Sequence, residues 1–186
     1  MQQKDPHTFA RQLGYVFAEA RRVLKDGGVL AFSFHHSRAE GWAAIYEALA
    51  TAGLCVVAAH PVHAELRAAS PKTAAKAPIS LDAILVCKKR PRPSEVFFDE
   101  PEILRATQRL VRQLEKAGMR ISTGDRFVIA AAKTLIATGP ELLGFDGIKE
   151  RLEAVRVRLG QTATPEFSIA AEPLSQATQN PGPFSG

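Results

Sequence analysis

The sequence predicts an α/β fold in which a small sheet is followed by a helical extension. Two observations predict it: apolar residues of the first half alternate between helical spacing and continuous extended runs, and the later part shows only helical spacing. The predicted elements are helix 7–25, strand 29–34, helix 39–52, strand 54–59, loop 64–80, strand 79–87, and helices 101–117, 125–138 and 146–159.

The helices are predicted from their apolar faces and from the residues that start them. One side of the first helix carries apolar residues at helical spacing: Phe9, Leu13, Val16, Phe17, Ala20 and Leu24. Asp5 can cap this helix, and Pro6 suits its first turn, where no backbone donor is lost. Ser122 and Asp125 have the spacing of a capping box at the start of a later helix.

The first strand, residues 29–34, is a continuous apolar run. Such a run is typical of a strand that is covered on both faces, as in a parallel sheet. The three predicted strands are too few for a stable doubly wound sheet with helices on both faces. We therefore expect that the sheet needs more strands than this chain supplies, and that the chain is an incomplete domain.

Composition predicts a cytoplasmic globular protein. The chain has 186 residues, of which 46% are apolar and 23% are charged, and no apolar run approaches the ~20 residues of a membrane helix. The N-terminus has no apolar signal core, so export is not expected. The cysteines are Cys55 and Cys87, each within an apolar run, which excludes a disulfide scaffold and a cysteine-based zinc site.

Charge and composition divide the chain into three parts. Residues 1–93 form the sheet part and carry the excess of basic residues, residues 94–160 form the helical extension, and residues 161–186 form a tail that we expect to be disordered. The basic excess could face a polyanion, although many basic proteins bind no nucleic acid.

Four residues at the end of the first strand are candidates for a substrate pocket: Ser33, Phe34, His35 and His36. Ligands of open α/β sheets bind outside the carboxyl ends of strands. Adjacent side chains of a strand face opposite sides, so at most one of the two histidines is expected to face a given pocket. The alternative is that they are polar residues at the start of a loop.

Two further sets of side chains have both a functional and a structural interpretation. Arg67, Lys72 and Lys76 lie in the long loop, where they either contact a nucleic-acid backbone or are solvated charges. His60 and His63 suggest a metal site, but a spacing of three on an extended chain places them on opposite faces, and no acidic or thiol ligand completes a set. We expect no bound metal.

Three segments resemble the last part of the class I methyltransferases that use S-adenosylmethionine. The helix, glycine turn and fifth strand of that fold are similar to residues 20–36, ARRVLKDGGVLAFSFHH. Its next helix and sixth strand are similar to residues 40–66, EGWAAIYEALATAGLCVVAAHPVHAEL. Its seventh strand, which runs antiparallel between the fifth and the sixth, is similar to residues 79–90, ISLDAILVCKKR.

One group of that family is more similar than the rest: the large adenine-specific DNA methylases with a domain of unknown function at the N-terminus. Their pattern is matched at Gly41-Trp42, Ala48-Leu49, Ala52-Gly53-Leu54, Pro61-Val62 and Glu65. His60 stands where the group has tryptophan, and residues 117–127, AGMRISTGDRF, resemble its downstream helical region. The resemblance implies that the chain holds the C-terminal half of a Rossmann-like methyltransferase sheet.

The resemblance further implies methyl transfer from S-adenosylmethionine to the N6 amine of adenine, with DNA and an N-terminal methylase subunit or fragment as partners. It implies a pocket wall from residues 33–36 and nucleic-acid contacts from the loop lysines and arginine. The sequence contains neither the Asp/Asn-Pro-Pro-Tyr motif that positions the target amine nor the glycine-rich cofactor loop. The resemblance places both upstream of Met1, so we assign no catalytic or cofactor-binding residue and expect the chain to be inactive alone.

Two alternatives remain open. In the first alternative the chain belongs to a methyltransferase that acts on RNA or a small molecule, since one fold serves many substrates. In the second alternative the chain is a non-catalytic interaction module. It would dock to a partner through the helical extension and would pair with a strand of that partner through the edge of its half-sheet.

Overall fold

The computed structural model describes residues 5–63, 79–89, 99–139 and 143–162. The elements in these ranges are α1 (Pro6–Val23), β1 (Leu30–Phe34), α2 (Ala39–Thr51), β2 (Leu54–His63), β3 (Leu81–Lys89), α3 (Glu100–Lys116), α4 (Thr123–Thr138) and α5 (Phe145–Thr162). The predicted α/β class is confirmed. Most of the predicted loop, the domain boundary near residue 93 and the tail after residue 162 lie outside the described residues, so those predictions stay predictions.

The local signals that start the helices act as predicted. Asp5 caps α1 by accepting a hydrogen bond from the Thr8 N–H at 2.9 Å, and Pro6 occupies the first turn. At α4 the capping box forms, because Ser122 Oγ accepts from the Asp125 N–H at 3.0 Å and the Asp125 carboxylate accepts from the Ser122 N–H at 2.9 Å. Each cap satisfies donors that a first helical turn leaves without a partner.

The sheet has the order β1-β3-β2, and β3 runs antiparallel to both neighbours. Every strand pair in the described ranges is antiparallel, so the expectation of a parallel sheet is wrong for these strands. The central position of β3 is the one that the resemblance implies for the third strand. β1 and β2 point in the same direction but do not touch, since β3 lies between them.

Helices cover one face of the sheet, and the other face is open in the part of the chain that the structure describes. Phe32 of β1 contacts Phe17 of α1 with a ring distance of 5.2 Å, whereas Ala31 and Ser33 on the opposite face are exposed. Burial also alternates along β3, from Leu81 onward. The expectation that β1 is covered on both faces is therefore wrong, because alanine and serine on one side of an apolar run need little cover.

A bulge at Val57 interrupts β2, where the pairing with β3 steps from Val56 to Ala58. The extra residue reverses the alternation of side chains along the strand. Val56 faces the helices before the bulge, and Ala59 does so after it, where it shares a small crevice with Val128 of α4. The bulge thus sets which residues of the second half of β2 meet α4.

The core lies between the sheet and the helices, and the helical extension contributes to it. α5 packs against α2 and α4. Its fully buried residues are Ile148, Leu152 and Val155, which have the helical spacing that the sequence predicts. On α2, Trp42 and Leu49 are buried in the same cluster. The sheet and the extension therefore share one hydrophobic core.

The carboxylate of Asp125 joins the start of α4 to the start of β3. It is fully buried, and it accepts hydrogen bonds from the backbone N–H groups of Ser80 at 2.7 Å, Leu81 at 2.9 Å and Ser122 at 2.9 Å, and from both serine hydroxyls. Burial raises the pKa of this carboxyl, but the hydrogen bonds from Ser80 and Ser122 lower it more, so the pKa lies below the ordinary aspartate value.

We predict that Asp125→Asn lowers the free energy of unfolding by about 2–4 kcal/mol, because an amide has one acceptor oxygen and leaves buried donors without partners. The folded pKa of Asp125 is lowered, so its contribution is complete above the unfolded pKa of about 3.9 and is lost as the pH falls through the folded pKa. Urea denaturation at pH 7 and at steps below pH 5 measures both effects.

The variant should show a shallower loss of stability in acid than the parent, since it has no carboxylate to protonate at this position. Asp146→Asn, at an exposed position in the first turn of α5, is the control and should cost less than about 1 kcal/mol. Equal losses from the two substitutions would contradict the role of Asp125.

Candidate functional site

The end of β1 and the turn that follows it carry the four predicted pocket residues, and the structure places them on different sides. Ser33 is exposed on the open face of the sheet. Phe34 faces the helices instead, and its ring packs edge-on against Trp42 with a centroid distance of 5.0 Å. Phe34 therefore belongs to the wall between the turn and the core, and it is not on the same face as Ser33.

His35 lies on the open face and pairs with Asp82, the second residue of β3. Its Nδ1 hydrogen-bonds to Asp82 Oδ1, and the imidazole is 49% exposed. A carboxylate only accepts hydrogen bonds, so this contact places a proton on Nδ1. The pair therefore presents the Nε2 edge of a half-exposed imidazole at the end of β1.

The sequence analysis did not identify Asp82. The residue is 47 positions away from His35, and only the register of β3 brings the two together. The one available signal was an acidic residue near the start of an otherwise apolar strand, which suggests that this position faces away from the core.

His36 turns away from the open face and fixes the geometry of the turn. Its Nδ1 accepts a hydrogen bond from the Arg38 N–H at 3.1 Å, and its carbonyl oxygen accepts from Trp42 Nε1 at 2.9 Å. The imidazole lies directly against the backbone of Gly41, where any side chain would overlap the ring. The turn therefore needs both residues: Gly41 leaves space for the His36 ring, and Trp42 holds the His36 carbonyl.

Polar and apolar residues share the open face beside this turn. The register places Ser33, Ile84 and His60 in one row across the three strands, with Val62 opposite Asp82 in the next row. His63 falls on the opposite face, as the sequence predicts for a spacing of three. The open face beside the turn thus presents both polar and apolar side chains.

Metal and thiol chemistry find no support at this site. Within the described ranges, no group of three or more His, Cys, Asp or Glu side chains is close enough to hold a metal ion. Cys55 and Cys87 are buried and form no disulfide, and burial, with a smaller contribution from Cys55, raises the pKa of Cys87 to about 12. A thiol with so high a pKa stays protonated and unreactive near neutral pH.

Several charged side chains on the described surface form ion pairs. Glu102 pairs with both Arg105 and Arg109 on α3, and Glu115 pairs with Arg126 of α4 at 2.8 Å. Exposed pairs of this kind contribute little to stability, but they offset part of the positive charge of α3 and α4. The predicted nucleic-acid contacts Arg67, Lys72 and Lys76 lie outside the described residues, so they stay predictions.

Comparison of the chain with family models, with curated proteins and with solved structures finds no match. Among the helices of the described ranges, none combines the length and apolar character needed to cross a bilayer. The functional interpretation therefore depends on the geometry of the sheet and on the sequence resemblance.

We predict that Gly41→Ala lowers the free energy of unfolding by about 1–3 kcal/mol, because the added methyl group displaces the His36 ring and strains the turn. Trp42 is the single tryptophan of the chain, so its fluorescence reports this turn directly during urea denaturation. The emission maximum of the folded variant should also shift, since the hydrogen bond from the indole to the His36 carbonyl is weakened.

Gly160→Ala is the matched control. Gly160 lies in α5 and has open space around its Cα, so alanine should raise helix stability there by up to about 1 kcal/mol. An alanine at position 41 that leaves both stability and fluorescence unchanged would show that the close approach of His36 is not required.

Proposed function

We propose that this chain is the C-terminal part of an S-adenosylmethionine-dependent methyltransferase that acts on the N6 amine of adenine in DNA. The arrangement of the strands is the observation that carries this proposal. An antiparallel β3 lies between two strands that run in one direction, which agrees with the order that the resemblance implies for the last three strands of a class I, Rossmann-like methyltransferase sheet.

The chain alone is expected to be inactive. Its sequence has no Asp/Asn-Pro-Pro-Tyr motif to hold the target amine and no glycine-rich loop between a strand and a helix to hold the cofactor. Methyl transfer needs the sulfonium donor and the amine aligned in one pocket. A second segment has to supply those parts, and S-adenosylmethionine would bind mainly to that segment.

The exposed side of α1 supports the presence of such a segment. Phe9, Val16 and Val23 recur every seven residues and are 39%, 62% and 64% exposed. α1 lies over β1 through the contact of Phe17 with Phe32, and β1 has no second strand partner in the described ranges. An exposed apolar stripe on α1 and an unpaired edge on β1 are both surfaces suited to a further segment of the same domain.

The end of β1 supplies a wall of the proposed pocket. Ser33 and the His35–Asp82 pair are on the open face, where a flipped base could meet a hydroxyl and a ring nitrogen. Phe34 and His36 contribute indirectly, because they pack the turn against Trp42 and Gly41. No residue of this chain is assigned a proton-transfer step.

The test is reconstitution with the segment encoded directly upstream in the genome. Calorimetric titration of the purified chain with S-adenosylmethionine should show no micromolar binding. Co-expression with the upstream segment should restore binding and produce N6-methyladenine in duplex DNA, measured by mass spectrometry of the nucleosides. RNA and small amines are offered in parallel, so that methylation of either identifies the alternative substrate class.

Two substitutions on neighbouring residues test the α1 surface in the reconstituted pair. Val16→Asp places a charge in the apolar stripe and should weaken association with the upstream segment by at least about tenfold. Tyr15 is somewhat more exposed than Val16 but lies off the stripe, so Tyr15→Asp should leave association unchanged. Micromolar cofactor binding by the chain alone, or an upstream sequence without the missing motifs, would refute the proposal.

The unpaired edge of β1 also favours the second candidate, a non-catalytic interaction module. The same experiment separates the two. Association with the upstream segment that yields no methylated DNA, RNA or small amine supports the module, whereas methyl transfer supports the enzyme.

A further inference from the structure

Lys133 of α4 lies half-buried in a cleft between α3 and α4. The cleft has a volume of about 270 Å³. Its lining combines apolar and acidic residues: Asp99, Glu102, Ile103, Ala106, Ile136 and Ala137. The cleft is open to a small molecule and leads to the lysine amine.

No carboxylate in the described ranges pairs with Lys133, although two acidic residues, Asp99 and Glu102, line the same cleft. Glu102 uses one oxygen for Arg109 Nη2 at 2.6 Å and the other for Arg105 Nε at 2.9 Å. Asp99 accepts from the Glu102 N–H at 3.1 Å, as the cap of α3. The acidic lining is thus already engaged, and the lysine ammonium is left without an opposite charge.

Two features of the cleft favour the neutral amine. Burial lowers the pKa of Lys133, and the positive charge of Arg109 lowers it further. A lysine that is partly desolvated and close to another cation is a better nucleophile than an exposed one, because more of it is unprotonated near neutral pH.

We propose that Lys133 is an acylation site that takes a small acyl group from an activated donor. The amine nitrogen attacks the carbonyl carbon of an acyl phosphate, the carbon–nitrogen bond forms and the carbon–oxygen bond to phosphate breaks. Phosphate leaves with the electron pair, and the amine proton passes to water. The product is a neutral amide whose methyl group fits the apolar walls of Ile103, Ala106 and Ile136.

The test is chemical acetylation of the intact chain with acetyl phosphate, followed by mass spectrometry of each lysine over time. Lys133 should react at least about threefold faster than Lys116, which is exposed on α3. A parallel reaction with acetyl coenzyme A distinguishes the two donor classes, since only the smaller donor enters the cleft completely. Equal or slower reaction of Lys133 with both donors would overturn the proposal.

Arg109→Gln tests the cause of the reactivity. It removes the neighbouring cation and frees an oxygen of Glu102 to pair with the ammonium, so the rate at Lys133 should fall to that of Lys116. Arg112→Gln, at an exposed position on the same helix, should leave the rate unchanged. An unchanged rate in the Arg109 variant, with native circular dichroism, would show that the cleft does not activate this lysine.

Discussion

The buried carboxylate of Asp125 is the constraint on which the assembly of this fold depends. One side chain satisfies the first turn of α4 and two backbone donors at the start of β3, so it fixes the position of a helix relative to a strand. α4 contacts both β2 and β3, and α3 and α5 pack against α4. The helical extension is therefore attached to the sheet through a buried charge, and a shift of α4 away from β3 would remove the Ser80 and Leu81 donors from that charge.

The β1 turn shows a different use of polar contacts. In this turn the indole of Trp42 donates a hydrogen bond to the His36 carbonyl, and the lack of a side chain at Gly41 leaves room for the His36 ring. His35, which follows β1 directly, faces the open surface of the sheet. Its partner Asp82 places a proton on Nδ1 of this ring. The turn is thus rigid on its core side and chemically accessible on its outer side, which is the combination that a binding wall requires.

The features that depend on neighbouring residues could be predicted from the sequence, and those that depend on distant ones could not. The helix order, the capping box of Ser122 and Asp125 and the cap of α1 at Asp5 follow from local spacing, and all appear in the structure. The hydrogen bonds from Ser80 to Asp125 span 45 positions, and no local pattern encodes them.

The one-sided covering of β1 could not be predicted for a related reason. Leu30, Phe32 and Phe34 alternate with Ala31 and Ser33, and an apolar run that contains small residues does not reveal which face is packed. The same ambiguity grouped Phe34 with Ser33 as pocket candidates, although the strand sends them to opposite sides. Only the helices above the sheet decide between the two faces.

The bulge at Val57 sets the face on which each later residue of β2 lies. If all residues of β2 paired with β3 in regular alternation, His60 would face the packed interior and Ala59 the open surface. Deletion of Val57 would instead keep both residues on their present faces, because Val56 and Ala58 already pair with consecutive residues of β3. The loss of this one residue would thus remove the local bend and the extra twist of the strand but not its division into a packed and an open side.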